Sequence, residues 1–307
     1  MSDRRRPPDH GKVGAAVERV TSVEEMRGVL RRPRLEGRTV GLVPTMGALH
    51  AGHLSLVNAS RKRCDLTVVS VFVNPTQFGE GEDFDAYPRD LDADAALLED
   101  AGVDVLFAPT VPVMYPAGAT TRVDPGPIGT VWCGASRPVH FAGVATVVAK
   151  LLGIVGPDVA FFGEKDYQQL RVIERVVRDL DIDTHIVGCP IIREADGLAL
   201  SSRNRYLTPA DRAHALVLSR ALMRARDAAA AGETDAAAIE SELAATITAE
   251  PGITLEYAAV VDAESLDRLT VLTREGRALV AARVGSARLI DNVAIRIPGV
   301  ASAPPGA

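Results

Sequence analysis

Short runs of β-branched and aromatic residues alternate with longer segments of helical periodicity over the first two thirds of the chain. The short runs predict strands at residues 39–43, 66–73, 103–107, 158–162 and 183–187. The longer segments predict helices near residues 22–32, 53–63, 92–101, 143–155 and 167–180. Strands that alternate with helices are typical of βαβ units, so we expect an α/β domain with a doubly wound parallel sheet.

The pattern changes after Pro190. Residues 209–249 are rich in alanine and predict two helices separated near Gly232, and strand-like stretches follow at residues 254–261, 278–282 and 287–293. This predicts a smaller α+β domain at the C-terminal end. Residues 1–19 and 298–307 are rich in charge or in Pro and Gly, so we expect flexible tails there and domains at 20–190 and 191–297.

Composition narrows the class of protein. The chain has 307 residues, with 34 Lys and Arg against 40 Asp and Glu, and a net charge of −6 disfavours nucleic acid as a partner. Cys64, Cys133 and Cys189 lie far apart, which argues against a disulfide framework or a zinc site. Since no apolar run approaches the ~20 residues that span a bilayer, we expect a cytoplasmic protein that acts on small molecules and does not bind a membrane.

The most informative stretch is residues 41–53, GLVPTMGALHAGH, which runs from a predicted strand through a glycine turn into a predicted helix. It is neither a P-loop nor a G-x-G-x-x-G fingerprint. His50 and His53 are expected on one face of the first helical turn, and Gly52 lets a ligand approach the backbone. Two imidazoles directed at a phosphate chain can stabilise charge in an in-line displacement. Metal ligation and two surface histidines are the alternatives.

A second stretch, FFGEKDYQQ at residues 161–169, also leads from a predicted strand into a predicted helix. Lys165 is placed to neutralise phosphate, Asp166 to cap the helix or bind a ribose hydroxyl, and Gln169 follows one turn later. The alternative is a solvated turn.

A third stretch, LSSRN at residues 200–204, sets two hydroxyls beside a guanidinium and follows a loop that contains Gly197. These groups supply several donors for an anion on a segment that can move. The alternative is that Ser or Asn caps the helix that begins after Thr208 and Pro209.

With FVNPTQF at 72–78, YPR at 87–89 and RPVHFAGV at 137–144, these stretches resemble the pantoate–β-alanine ligase family over residues 20–297. That family is a member of the nucleotidylyl-transferase superfamily, which has an H-x-G-H motif and is related to class I aminoacyl-tRNA synthetases. The resemblance implies a Rossmann-like domain, a smaller C-terminal domain that closes over ATP, and a homodimer. It also implies ATP-dependent condensation of (R)-pantoate with β-alanine through a pantoyl adenylate, with release of AMP and pyrophosphate.

The resemblance further implies roles for single residues. His53 matches the proton donor, and Asp94 lies in an acidic cluster linked to Mg²⁺. The implied catalytic residues are His50, His53, Lys165, Ser201, Ser202 and Arg203. The implied ATP contacts are Met46, Gly47, His50, His53, Gly163, Lys165, Asp166, Ile192, Leu200, Ser201, Ser202 and Arg203, the last four forming a mobile phosphate loop. The implied substrate contacts are Met46, Phe72, Gln77 and Gln169.

Three other functions share single features with this chain. A nucleotidylyl transferase shares H-x-G-H but needs more basic residues near its acceptor than residues 72–78 offer. A non-catalytic ATP-sensing module predicts that loss of the histidines is tolerated. A tRNA-charging enzyme is disfavoured by the net charge and by the lack of a visible anticodon-binding extension.

Overall fold

The computed structural model describes residues 16–299, so most of the tails predicted at 1–19 and 298–307 lies outside the described residues. Strand β1 (Glu18–Val20) begins inside the range expected to be an N-terminal tail. It is ordered there because it pairs in parallel with Val105–Phe107.

One compact unit comprises the described residues up to Thr130 together with Gly134–Gly163 and Val172–Cys189. Its sheet contains β1, β2 (Val40–Thr45), β3 (Leu66–Val71), β4 (Val105–Phe107), β5 (Val159–Gly163) and β6 (His185–Cys189). All neighbours are parallel in the order β1-β4-β3-β2-β5-β6, which confirms the predicted doubly wound sheet. Chain order runs in opposite directions on the two sides of β2. The end of β2 is therefore the switch point at which such sheets bind ligands.

Residues 16–189 also form helices α1 (Val23–Leu35), α2 (Ala51–Arg63), α3 (Leu91–Asp100), α4 (Val111–Met114), α5 (Cys133–Ser136), α6 (His140–Val155) and α7 (Tyr167–Asp179). Short 3-10 helices lie at Pro75–Gln77, Gly126–Gly129 and Glu164–Asp166. Capping residues determine where two of these helices begin or end. Ser22 and Glu25 form a capping box at the start of α1, and Gly156 ends α6 in the left-handed conformation.

Strands β2 and β3 are buried on both faces over most of their length, as expected of central parallel strands covered by helices. The core that supports the switch point includes Val43, Val57, Val69 and Phe161. The turn after β2 therefore follows directly from a strand that is packed in this core.

The second compact unit comprises Val131–Cys133, Glu164–Arg171 and the described residues from Pro190 onward. It contains α8 (Pro209–Ala230), α9 (Ala236–Thr248), a 3-10 helix (Ser202–Tyr206) and the antiparallel sheet β7 (Ile253–Asp262), β8 (Gly276–Val284) and β9 (Ala287–Ile295). The smaller α+β C-terminal domain is thus confirmed. Thr208, Pro209 and Asp211 give α8 a capping box with proline in its first turn. Thr208, and neither Ser201 nor Asn204, caps this helix.

The sequence predicts one continuous division, between residues 190 and 191. In the structure, two short segments from before that position, Val131–Cys133 and Glu164–Arg171, group with the second unit. The second segment carries Lys165, Asp166 and Gln169. Across residues 16–299, none of the helices is both long and apolar enough to cross a membrane.

Candidate active site

The turn after β2 requires an unusual backbone. Gly47 has φ +84° and Ala48 has φ +52°. A Cβ atom on Gly47 would lie 2.8 Å from Oδ2 of Asp94 and 3.1 Å from Cγ1 of Val71. The Thr45 hydroxyl accepts a hydrogen bond from the Gly47 amide at 3.2 Å. Position 47 therefore needs glycine both for its positive φ and for space.

Asp94, which the family resemblance places near Mg²⁺, supports this turn. Its Oδ2 accepts from the Ala48 amide at 3.0 Å, its Oδ1 accepts from the Leu49 amide at 2.8 Å, and only 3% of the residue is exposed. Among residues 16–299, no group of three or more His, Cys, Asp or Glu side chains is placed to hold a metal ion. The structure thus gives Asp94 a role in supporting the backbone of the turn, and its role toward Mg²⁺ stays a prediction.

The two histidines form the N-terminal cap of α2. His50 is the N-cap residue, and its Nδ1 accepts from the Gly52 amide at 3.1 Å. His53 Nδ1 accepts from the His50 amide at 3.3 Å, and the ring centroids are 4.1 Å apart. Because each Nδ1 accepts, a neutral ring carries its proton on Nε2. Both Nε2 atoms are thus donors at a helix N-terminus, which attracts anions.

The segment after β3 fixes Gln77, which is only 7% exposed. Its Nε2 contacts the Met46 sulfur at 3.2 Å and its Oε1 accepts from Nδ2 of Asn74 at 3.0 Å. Its backbone carbonyl accepts from Nδ1 of His140 at 2.9 Å. The contact with Met46 joins this segment to the H-x-G-H turn.

Asn74 is the organising residue of that segment, and the sequence reasoning missed it. Its Oδ1 accepts from the Thr76 amide, the Thr76 hydroxyl and, at 2.8 Å, the Tyr115 hydroxyl, while its Nδ2 also donates to the Gly143 carbonyl. The available signal was Asn before Pro, a turn-starting pair. Phe72, a predicted substrate contact, is 6% exposed, and its ring centroid lies 6.2 Å from that of Tyr115.

An ion pair between Arg137 and Glu82 fixes the segment that follows Gln77. Arg137 donates to both carboxylate oxygens of Glu82, at 2.7 and 2.6 Å, and to the Gln77 carbonyl at 3.4 Å. Partial burial alone raises the pKa of a carboxyl, but the hydrogen bonds and charge of Arg137 outweigh it and hold the pKa of Glu82 below its ordinary value. Glu82 is therefore ionised at neutral pH.

In the second unit, Lys165 and Asp166 lie in the 3-10 helix that follows β5, with Nζ and Oδ2 3.7 Å apart. The next two glutamines differ. Gln168 accepts from the Cys133 amide at 3.1 Å and donates to the Val131 carbonyl at 2.8 Å, so it is structural. Gln169 is half-buried, and its carboxamide makes no hydrogen bond to another residue of the described range 16–299.

The stretch at 200–204 is anchored at both ends. Leu200 donates its amide to the Ile192 carbonyl at 2.9 Å, which closes a hairpin over residues 192–200. Ser201 caps the 3-10 helix by accepting from the Arg203 amide at 3.3 Å. Asn204 donates to Glu194 at 2.8 Å and to the Ala199 carbonyl at 3.0 Å. The helix cap that was the alternative interpretation of this stretch is therefore present, but it lies on the short 3-10 helix Ser202–Tyr206.

The predicted site residues therefore fall into two sets, each within one unit. The first unit brings the H-x-G-H turn beside Gln77, and its members are Met46, Gly47, His50, His53, Phe72, Gln77 and, at the end of β5, Gly163. The second unit holds Lys165, Asp166, Gln169, Ile192, Leu200, Ser201, Ser202 and Arg203. The role of each residue toward a ligand remains a prediction.

Comparisons with known proteins agree on one family. The family model described as pantoate-beta-alanine ligase matches residues 18–294. A pantothenate synthetase of Heliobacterium modesticaldum is 53% identical over 278 residues, which cover 91% of this chain and 99% of that protein. One of Rubrobacter xylanophilus is 55% identical over 282 residues, covering 89% and 97%.

Solved structures agree as well. A crystal structure of pantothenate synthetase from Thermus thermophilus is similar with a TM-score of 0.86 and 50% identity, covering 90% of this chain and 99% of that one. A pantoate-beta-alanine ligase from Francisella tularensis, complexed with beta-gamma ATP and beta-alanine, has a TM-score of 0.74 and 35% identity, covering 91% and 97%. The resemblance noted from the sequence motifs is confirmed, and the chain belongs to the pantoate–beta-alanine ligase family.

Proposed function

We propose that the chain condenses (R)-pantoate with β-alanine to give pantothenate, with ATP converted to AMP and pyrophosphate. The observation that carries the proposal is the contact of Gln77 with Met46, because it places a neutral amide beside the turn that presents two imidazole donors. The family match over residues 18–294 supports the same reaction.

The chemistry requires activation of the acid. A carboxylate is a poor acyl donor because oxide would have to leave. In the first step, a pantoate carboxylate oxygen attacks the α-phosphorus of ATP and pyrophosphate leaves. In the second, the β-alanine amine attacks the acyl carbon, AMP leaves with the bonding electrons, and the nitrogen loses a proton.

Charge stabilisation in the first step requires donors directed at the phosphates. We propose that Nε2 of His50 and of His53, at the start of α2, face the phosphates, with His53 as proton donor. We propose that Lys165, Ser201, Ser202 and Arg203 add charge and hydrogen bonds, and that Gly163, Asp166, Ile192 and Leu200 complete the nucleotide contacts. Ordering of the 200–203 segment by ATP stays a prediction.

The residues proposed to contact pantoate and β-alanine carry no charge. Gln77 and Gln169 can bond hydroxyl and carboxylate groups without an ion pair that would hold the product, and Phe72 supplies an apolar wall. A pocket of this kind protects an adenylate from water. ATP and β-alanine as ligands are supported by the ligase from Francisella tularensis, which is complexed with beta-gamma ATP and beta-alanine.

Three further properties belong to the proposal. We expect a homodimer and a cytoplasmic location, as the family resemblance implies. We also expect a requirement for Mg²⁺, bound mainly by the phosphates and water, with Asp94 as the carboxylate that the family resemblance places near the ion.

Product analysis tests the reaction. Incubation with ATP, pantoate and β-alanine is expected to yield pantothenate, AMP and pyrophosphate in equal amounts. Formation of ADP and phosphate would contradict the adenylate route. A nucleotidylyl transferase would form no amide, and an ATP sensor would consume no ATP.

Adjacent glutamines give a matched pair of variants. Gln169→Ala is expected to weaken the use of pantoate by about 1–3 kcal/mol, with little effect on ATP binding or on the free energy of unfolding. Gln168→Ala leaves the Cys133 amide and the Val131 carbonyl without their partner, so it is expected to lower the free energy of unfolding by about 1–3 kcal/mol. Calorimetric titration and urea unfolding measure both. If Gln169→Ala weakens the binding of ATP and of pantoate equally, Gln169 is not a specific contact of pantoate.

A further inference from the structure

Two consecutive polar residues on β9, Asp291 and Asn292, are buried, with 5% and 2% of their surface exposed. Burial of polar groups is costly unless every donor and acceptor is paired. Both side chains are fully engaged, and each binds a different one of the segments predicted to contact ATP.

Asn292 holds the 3-10 helix Glu164–Asp166, which is called the lysine turn below. Its Nδ2 donates to the backbone carbonyls of Glu164 and Lys165, both at 2.9 Å. Its Oδ1 accepts from Nε of Arg277 at 2.7 Å, and Arg277 also donates to the Glu164 carboxylate at 2.8 Å. The guanidinium lies over the ring of Tyr167, 4.0 Å from its centroid. The backbone carbonyls before and after the Cα atom of Lys165 are therefore both bound by a side chain of the C-terminal sheet.

Asp291 holds the hairpin that leads to the serine and arginine donors. Its two oxygens accept from Nη1 and Nη2 of Arg193 at 2.7 and 2.9 Å, a bidentate pair. Nη1 of Arg193 also donates to the Gly197 carbonyl at 3.1 Å. The hairpin closes between Ile192 and Leu200, and Ser201 follows directly.

The geometry points to Asp291 and Asn292 as positioning residues for ATP. Their Cα atoms are about 3.8 Å apart, and because successive side chains of a strand point to opposite faces, β9 fixes the lysine turn from one face and the hairpin from the other. A single strand thus supports both the segment that carries Lys165 and the hairpin that leads to Arg203, the two cations proposed to bind the triphosphate. The inference rests on the proposed function, since it takes those two residues as ATP contacts. Neither Asp291 nor Asn292 is expected to touch the nucleotide.

Asn292→Asp is the direct test because it keeps the shape but replaces two N–H donors by an oxygen that faces two carbonyls. We expect the KM for ATP to rise about 10–100-fold, the scale for small misplacement of catalytic groups. The KM for pantoate is expected to stay within about twofold. This split is the readout that a general loss of stability would not produce.

Arg193→Lys provides a second variant that retains the charge and loses the bidentate contact with Asp291, together with the hydrogen bond to the Gly197 carbonyl. Asp291→Asn and Arg193→Lys are each expected to raise the KM for ATP, and the double variant is expected to be no worse than the more impaired single one, because both remove the same interaction. Arg224→Gln is the control. It removes an exposed ion pair with Glu242, between α8 and α9 of the second unit, so all KM values are expected to stay unchanged.

Folded Asn292→Asp with an unchanged KM for ATP, or with equal rises for ATP and pantoate, would overturn the inference. If Asn292→Asp does not fold, Arg193→Lys decides, and an unchanged KM for ATP in that variant overturns it. Failure of the unmodified chain to form pantothenate in the same assay would count against the proposed function, so the two failures are distinguishable.

Discussion

His50→Ala and His53→Ala are each expected to slow adenylate formation by about two to three powers of ten, the scale for loss of one preorganised transition-state donor. The reason is geometric. Both Nδ1 atoms accept from backbone amides, so the proton of each neutral ring lies on Nε2, at the N-terminus of α2. Single-turnover formation of AMP from ATP and pantoate measures the rate.

These rings also cap a helix, so the alanine variants mix two effects. Loss of an N-cap acceptor costs about 0.5–2 kcal/mol of stability. His50→Asn and His53→Asn separate them, because the asparagine side chain reproduces the Nδ1 position and is a preferred cap but ends short of Nε2. We expect the asparagine variants to retain the free energy of unfolding and to be as slow as the alanine variants. Near-normal rates in folded His50→Ala and His53→Ala would refute the assignment.

Gly143→Ala is expected to impair both folding and acceptor use. A Cβ atom at this position in α6 would lie 2.6 Å from the backbone nitrogen and Cα of Gln77, and closer still to the Thr76 carbonyl oxygen. Backbone cannot yield as a flexible side chain can, so we expect a loss of about 1–3 kcal/mol in the free energy of unfolding. Displacement of Gln77 is expected to lower kcat/KM for pantoate by about 100-fold.

Gly153→Ala is the matched control in the same helix. Gly153 is exposed, and a Cβ atom there meets nothing within 4 Å. Replacing a helical glycine by alanine is expected to stabilise the chain by about 0.5–1 kcal/mol without changing activity. Urea unfolding and steady-state kinetics measure both variants. Normal pantoate use in Gly143→Ala would show that the close approach of α6 does not position Gln77.

The parallel sheet was predictable because its strands are short apolar runs whose period differs from that of the flanking helices. Strand β1 was not, since the three residues Glu18–Val20 carry two charges and are ordered only by pairing with β4. The H-x-G-H turn was also predictable, because glycine, the strand before it and the helix after it are local features. Its support by Asp94 was not, since that contact spans more than 40 positions.

The same limit applies to the acceptor and nucleotide segments. Gln168 and Gln169 are identical in type and adjacent in sequence, and only the packed structure shows that Gln168 binds Val131 and Cys133 while Gln169 does not. Asp291 and Asn292 lie in a strand whose local pattern predicts only a sheet. Their proposed positioning role depends on partners 98 and 128 positions earlier in the chain.

Exchange of labelled pyrophosphate into ATP, with pantoate and Mg²⁺ present and β-alanine absent, tests the two-step reaction most directly. If a pantoyl adenylate forms and stays protected in the pocket, the first step runs backwards without the amine. Label is then expected to enter ATP, and to do so far more slowly in His50→Asn and His53→Asn. Label that enters ATP only after β-alanine is added would contradict a free-standing adenylate step, even if pantothenate were the product.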